Sequence, residues 1–128
     1  MQVRWSLPSE PGSVREARSR VRRLLADEGV STDECDVAAL LVSELVSNAV
    51  VHASSFDTIE LGVRSGATGI HIDVLDHDPT PPRLSESEVP GEHGAGLRIV
   101  SRMSSRWGWG PINGDGKHVW CDVAPGGS

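Results

Sequence analysis

Glu44, Asn48 and His52 fall four residues apart in LVSELVSNAVVHA, so on a helix a carboxylate, an amide and an imidazole line one row. Buried among Leu41, Leu45 and Ala49, such groups are costly without partners; exposed, they form an ordinary polar stripe. Spacing alone leaves both readings open. Asp76 closes the alternating stretch GIHIDVLD. A carboxylate at a strand terminus can accept from the exocyclic amine of a ligand, or fold back on its own loop in an Asx turn. Gly91, Gly94 and Gly96 in PGEHGAGLRIV stand where a loop meets a short helix, and glycines there let backbone N–H groups approach an anion near the helix N-terminus at about Gly96 to Arg98. This spacing fits neither the Walker pattern, which ends in Gly-Lys-Ser/Thr, nor the Rossmann fingerprint, whose glycines follow the first strand.

Other chemistries find little support. His52, His71, His77, His93 and His118 lack the tight spacing of zinc ligands, and no GxSxG segment marks a hydrolase nucleophile. Cys35 and Cys121 form no CxxC pair and fall on apolar-patterned elements, as buried small side chains do. Trp5, Trp107, Trp109 and Trp120 are read as core or edge packing. The formal charge of −6 argues against a nucleic-acid binder working by bulk electrostatics. It is unevenly spread, with six arginines against two glutamates in residues 1–23 and an acidic remainder. Lys117 is the one lysine among twelve basic residues, a usage that by itself carries no function. No run reaches the 18 or so apolar residues of a membrane span and the N-terminus lacks a signal-peptide core, so a cytoplasmic location is expected.

The elements that must position these groups follow from periodicity. Residues 3–7 alternate weakly as a leading strand, and Pro8 and Pro11-Gly12 break the chain. A first helix is expected from about Ser13 to Glu28, with Ser13 and Glu16 as a capping box, a stripe of Val14, Ala17, Val21, Leu24 and Leu25, and Gly29 as its stop. A second helix begins after Ser31 or Thr32, carries Asp33, Glu34 and Asp36 in its first turn, and reaches His52 or Ala53. Its expected core face is Val37, Leu40, Leu41, Leu45 and Ala49, with Val50 at its margin. Two strands alternate around Ile59, Leu61, Val63 and Ile70, Ile72, Val74, joined by a turn at residues 65–68. The four prolines of residues 76–93 predict a long loop. A short helix over 95–103 and closing strands over 106–109 and 117–123 complete the chain. Grouped helices and short strand connections predict an α/β (α+β) two-layer sandwich, its mixed, mostly antiparallel sheet covered by helices on one face.

In this order the motifs resemble the GHKL group of ATP-binding domains, and most closely the small bacterial anti-sigma-factor serine/threonine kinases and their histidine-kinase-like ATPase relatives. SELVSNAVVHA resembles the N box, LDHDP stands at the first glycine box, GAGLRIV resembles the second, and RWGW and GKHVW resemble the closing strands. The resemblance implies a Bergerat-type ATP-binding fold forming one domain over residues 1–128, with a lid at about 78–93 and a frayed tail at about 124–128. It implies Glu44 as general base toward a hydroxyl, Asn48 as ligand of Mg²⁺ and Asp76 as acceptor of the adenine amine. Gly94, Gly96 and Leu97 would line the nucleotide, with Arg83 and Arg98 as candidate phosphate contacts. One departure stands out: the first glycine box expects Asp-x-Gly, where this chain has Asp76-His77-Asp78 before Pro79.

Two functions follow from that resemblance. One is a Mg·ATP-dependent serine/threonine kinase that sequesters a sigma factor and phosphorylates an antagonist protein. The other is a degenerate ATP-binding module that controls transcription by docking alone, motivated by Asp78 and Pro79. The arginine face of the first helix, with Arg18 and Arg22, is the expected docking surface, and a homodimer is a further implication. Direct contact with nucleic acid or membrane is not expected.

Overall fold

The computed structural model describes residues 1–52, 57–78, 82, 95–112 and 116–125, the side chains of residues 51–52 and 95–97 excepted. The order is β1 (Gln2–Pro8), α1 (Gly12–Asp27), α2 (Thr32–His52), β2 (Thr58–Gly66), β3 (Gly69–Asp76), α3 (Ala95–Met103), β4 (Arg106–Ile112) and β5 (Gly116–Val123). The strands form one sheet in the order β1-β2-β3-β5-β4, and all four pairings are antiparallel.

Alternation divides the sheet into two faces. Leu7, Ile59, Leu61, Val63, Ile70, Ile72, Val74, Val119, Cys121 and Val123 are buried. Each large aliphatic residue so placed contributes about 1.5–3 kcal/mol. They meet Ala17, Val21 and Leu25 of α1, much of α2, and Val100 of α3 in one core. The opposite face is polar. There the Arg4 guanidinium reaches across Gly62 to Asp73, donating to both carboxylate oxygens at 3.0 and 3.3 Å. On the same face Trp120 stacks on His71 at 5.9 Å, under the Arg106 guanidinium at 5.7 Å.

The helix ends separate two sequence signals of the same form. Ser13 makes no capping bond in α1; its hydroxyl donates instead to Pro8 O at 2.5 Å, and Pro11 occupies the N-cap position. The capping box expected at Ser13 and Glu16 is therefore corrected. Glu16 pairs with Arg20 at 2.8 Å along the exposed face. A side-chain N-cap does form at Ser31, whose Oγ accepts the Glu34 N–H at 3.2 Å and donates to the Glu34 carboxylate at 2.9 Å. The end of α1 is a Schellman motif: Gly29, at φ 82°, donates to Ala26 O, and Val30 donates to Leu25 O, both at 3.0 Å.

α2 packs against α1, α3 and the sheet, so it is buried over more than the single face read from its periodicity. Ala38, Ala39, Val42 and Val46 join Leu41, Leu45 and Ala49 in the interior, whereas Val37 and Leu40 are only half-buried. That enclosure extends to Ser43 and Glu44. Both cysteines are free and buried, as expected. Trp5 and Trp107 pack against the core, while Trp109 is exposed.

Candidate functional site

Glu44 lies on the fourth turn of α2 with only 7% of its surface exposed. Burial raises the pKa of its carboxyl, because the charged form loses hydration without a cation to replace it. One turn later, Asn48 is half-buried, and its Oδ1 is fully enclosed with no hydrogen-bond partner among the described residues. An orphaned amide oxygen is costly inside a protein and is the kind of hard oxygen donor that Mg²⁺ accepts. The polar-stripe alternative fails for Glu44, which faces the interior. The side chain of His52 lies outside the described residues.

The second part of the site is the end of β3. The Asp76 side chain is 1% exposed and stands directly opposite Lys117 of β5 in the strand register. Lys117 Nζ lies 2.9 Å from Asp76 Oδ2, and the lysine side chain is itself fully buried. The pair is close but poorly directed, leaving Oδ2 without a well-aligned hydrogen bond. Lys117 also donates to Asp78 O at 3.2 Å, and the Asp78 N–H donates to Asp76 Oδ1 at 2.8 Å. Asp76 therefore closes an Asx turn and holds a buried cation together. Asp78, the departure from Asp-x-Gly, serves this cluster through both backbone polar groups. Gly116 lets the strands approach here, since a Cβ at that position would collide with the Asp76 carbonyl oxygen and crowd His77 Cα.

Sequence reasoning passed over Lys117 and Gly116. The signal available was positional: Lys117 takes an inward position in the series Lys117, Val119, Cys121, Val123, where every other member is apolar.

Topology brings the two parts toward one end of the sheet. α2 runs into β2, whose first residues pair with the last of β3, Glu60 opposite Leu75, so the half of α2 bearing Glu44 and Asn48 leads toward Asp76. A cavity of about 320 Å³ opens at this end, lined by Thr58, Glu60, Leu75, Asp76, His77 and Gly116 among others; Asp76 is the one expected site residue in its lining, and neither Glu44, Asn48 nor Lys117 borders it. A larger depression, about 600 Å³, lies at the opposite end around Arg64, His71, Arg106 and Asp122, and contains none of the expected nucleotide residues. Gly96 and Leu97 fall in the first turn of α3, and Arg98 is half-buried on the same helix. Gly94 and Arg83 lie outside the described residues, as does nearly all of the segment expected to be a lid.

A five-stranded antiparallel sheet with its helices packed on one face defines the class, a two-layer α/β sandwich. A family model described as the histidine kinase-like ATPase domain matches residues 7–121, and the chain belongs to that family. No curated protein matches it. Among solved structures it is similar to the RsbU and RsbW domains of Rv1364c from Mycobacterium tuberculosis, with a TM-score of 0.65 and 16% sequence identity. That likeness covers 97% of this chain and 32% of the other, and it is a likeness of fold. Among the described residues, no helix is long and apolar enough to cross a membrane.

Proposed function

We propose that this chain is an ATP-binding regulatory domain that uses Mg·ATP to phosphorylate a hydroxyl side chain of a partner protein. The observation that carries the reading is the buried pair on α2: an enclosed, unpartnered Asn48 Oδ1 one turn from a desolvated Glu44 carboxyl. Both the amide oxygen and the strand-end carboxylate of Asp76 fit a nucleotide with its metal, one as a hard donor to the cation and the other as an acceptor for a base amine. When bound, Mg²⁺ supplies positive charge to the phosphate oxygens. Asn48 would hold that ion. Glu44 would take the proton of the attacking hydroxyl, and its desolvation makes it a stronger base than an exposed glutamate. The backbone around Gly94, Gly96 and Leu97 would face the phosphates at the start of α3, where the helix dipole favours anions.

In this reading the partners are a sigma factor, sequestered by docking, and an antagonist protein that supplies the hydroxyl. Support comes from membership of the family and from the shared fold, together with the arginine face of α1. On that face Arg22 is already engaged with Asp36 at 3.2 Å, which leaves Arg18, half-buried, and the exposed Arg15 and Arg23 as the docking cations.

A second reading keeps nucleotide binding and docking without transfer. The specific observation in its favour is the Lys117 ammonium against Asp76, which occupies the carboxylate expected to read adenine. Calorimetric titration with ATP, with Mg²⁺ and then with chelator, separates these readings when combined with transfer of labelled γ-phosphate to a co-purified partner. The kinase reading expects Mg²⁺-dependent binding that Asn48→Ala removes, and transfer that Glu44→Gln lowers by about 10²-fold or more at unchanged ATP affinity. Binding without transfer to any retained partner supports the docking module, and loss of neither function in the two variants refutes the residue assignment.

A further inference from the structure

We infer that the cleft at the end of the sheet remote from Asp76 is a second ligand site, one that binds two carboxylate or phosphate groups carried on a short framework, with Arg64 and Arg106 as their anchors. The inference stands apart from the nucleotide reading. Register places one row of side chains across the sheet: Arg64 of β2 opposite His71 of β3, His71 opposite Asp122 of β5, and Asp122 opposite Arg106 of β4. These positions alternate with the buried Val63, Ile70, Ile72, Cys121 and Val123, so the row lies on the face that the helices leave open. All four residues line the depression of about 600 Å³, a volume in the range of small-molecule sites.

Charge decides what the cleft takes. The chain carries 18 acidic against 12 basic residues, and Arg4, Arg20 and Arg22 each pair with a carboxylate at 3.0, 2.8 and 3.2 Å. Arg64 and Arg106 do not. Among the described residues neither has an acidic partner, and the Arg106 guanidinium rests on the Trp120 ring at 5.7 Å. Asp122, the one acid in the described lining, is engaged by His71 Nδ1 at 2.6 Å, and the imidazole is itself stacked on Trp120. The lining is therefore net positive on a chain of formal charge −6. A guanidinium donates two parallel N–H bonds to one carboxylate or phosphate. Three strand spacings, about 14 Å, separate the Cα atoms of Arg64 and Arg106, so the two enter from opposite sides and suit two anionic groups better than one. The Thr68 hydroxyl, also in the lining, adds a neutral donor.

Two probes carry this chemistry from different sources: citrate, a free polycarboxylate, and the capped tripeptide acetyl-Glu-Gly-Glu-amide, an acidic chain segment. Binding is measured by calorimetry without nucleotide or Mg²⁺ and at low ionic strength, where exposed charges are least screened. At least one probe is expected to bind one to one. Arg64→Ala and Arg106→Ala are each expected to weaken it by about tenfold or more, and Arg20→Ala, on α1 and outside the cleft, by less than about twofold. A preference of about tenfold for citrate assigns the site to a free small molecule, and the reverse preference to an acidic segment of another protein. Both cleft arginines are exposed, so neither variant removes core packing, and circular dichroism verifies the fold. Absence of saturable binding of either probe at about 10 mM overturns the inference. So does an equal loss in Arg20→Ala, or binding that both cleft variants leave unchanged, since either result puts the anion elsewhere on the surface.

Discussion

Burial changes what Glu44 costs the fold at neutral pH. Its carboxyl pKa lies above the ordinary 4.5 because the helix packs it away from water. The folded chain therefore keeps that proton to higher pH than the unfolded chain does. Stability from this group is complete below the ordinary carboxylate range and is lost as pH rises through the folded pKa. A neutral isostere avoids the loss. Glu44→Gln is expected to melt a few degrees above the wild type at pH 7, with the difference closing as the pH falls below 4.5. Thermal melts of both proteins across pH 4 to 8 check it, and equal melting temperatures at pH 7 would mean that Glu44 carries no desolvation cost. A gain in stability on removing the proposed base is the pattern expected where function, rather than packing, retains a buried carboxyl. Lys117 poses the complementary case, a buried cation whose partner carboxylate offsets its desolvation.

At the scale of elements, the two Ser-x-x-Glu signals show how a local rule meets its surroundings. Ser31 begins α2 with the N-cap bond from the Glu34 N–H and a hydroxyl bond to the Glu34 carboxylate, and Ser31→Ala is expected to cost about 1 kcal/mol, read as a shift of the urea midpoint at unchanged slope. Loss of much less would assign the start of α2 to packing alone. Ser13 has the same spacing to Glu16, yet Pro11 already starts the helix and the Pro8 carbonyl captures the hydroxyl. The strands were legible because a sheet covered on one face imposes strict alternation, and β1, β2 and β3 follow it. Gly29 was legible because a left-handed C-cap favours glycine. The breadth of burial on α2 was not, since it depends on α1 and α3 closing over it. The Asp76–Lys117 contact was equally hidden: it joins strands distant in sequence, and only the β3–β5 register makes the two residues neighbours.

For the whole molecule, the division of labour between the two ends of the sheet decides how stability and ligand couple. Residues assigned to the nucleotide sit on α2, on β3 and at the start of α3, elements that all pack on the single core. A ligand that bridges them binds the folded chain and not the unfolded one, so occupancy must raise the melting temperature by mass action. At a nucleotide concentration about 100 times the dissociation constant the gain is about 2.7 kcal/mol, which for a chain of this length corresponds to roughly 10 °C. Mg·ATP is expected to produce that shift in the wild type. Chelator, or Asn48→Ala, should reduce it to the part contributed by base and ribose contacts. The depression around Arg64, His71 and Arg106 supplies an internal control, because it lies at the other end of the strands. Arg64→Ala should therefore leave the nucleotide-induced shift unchanged, whereas a shift that disappears with Arg64 and survives in Asn48→Ala would move the nucleotide to that end of the sheet.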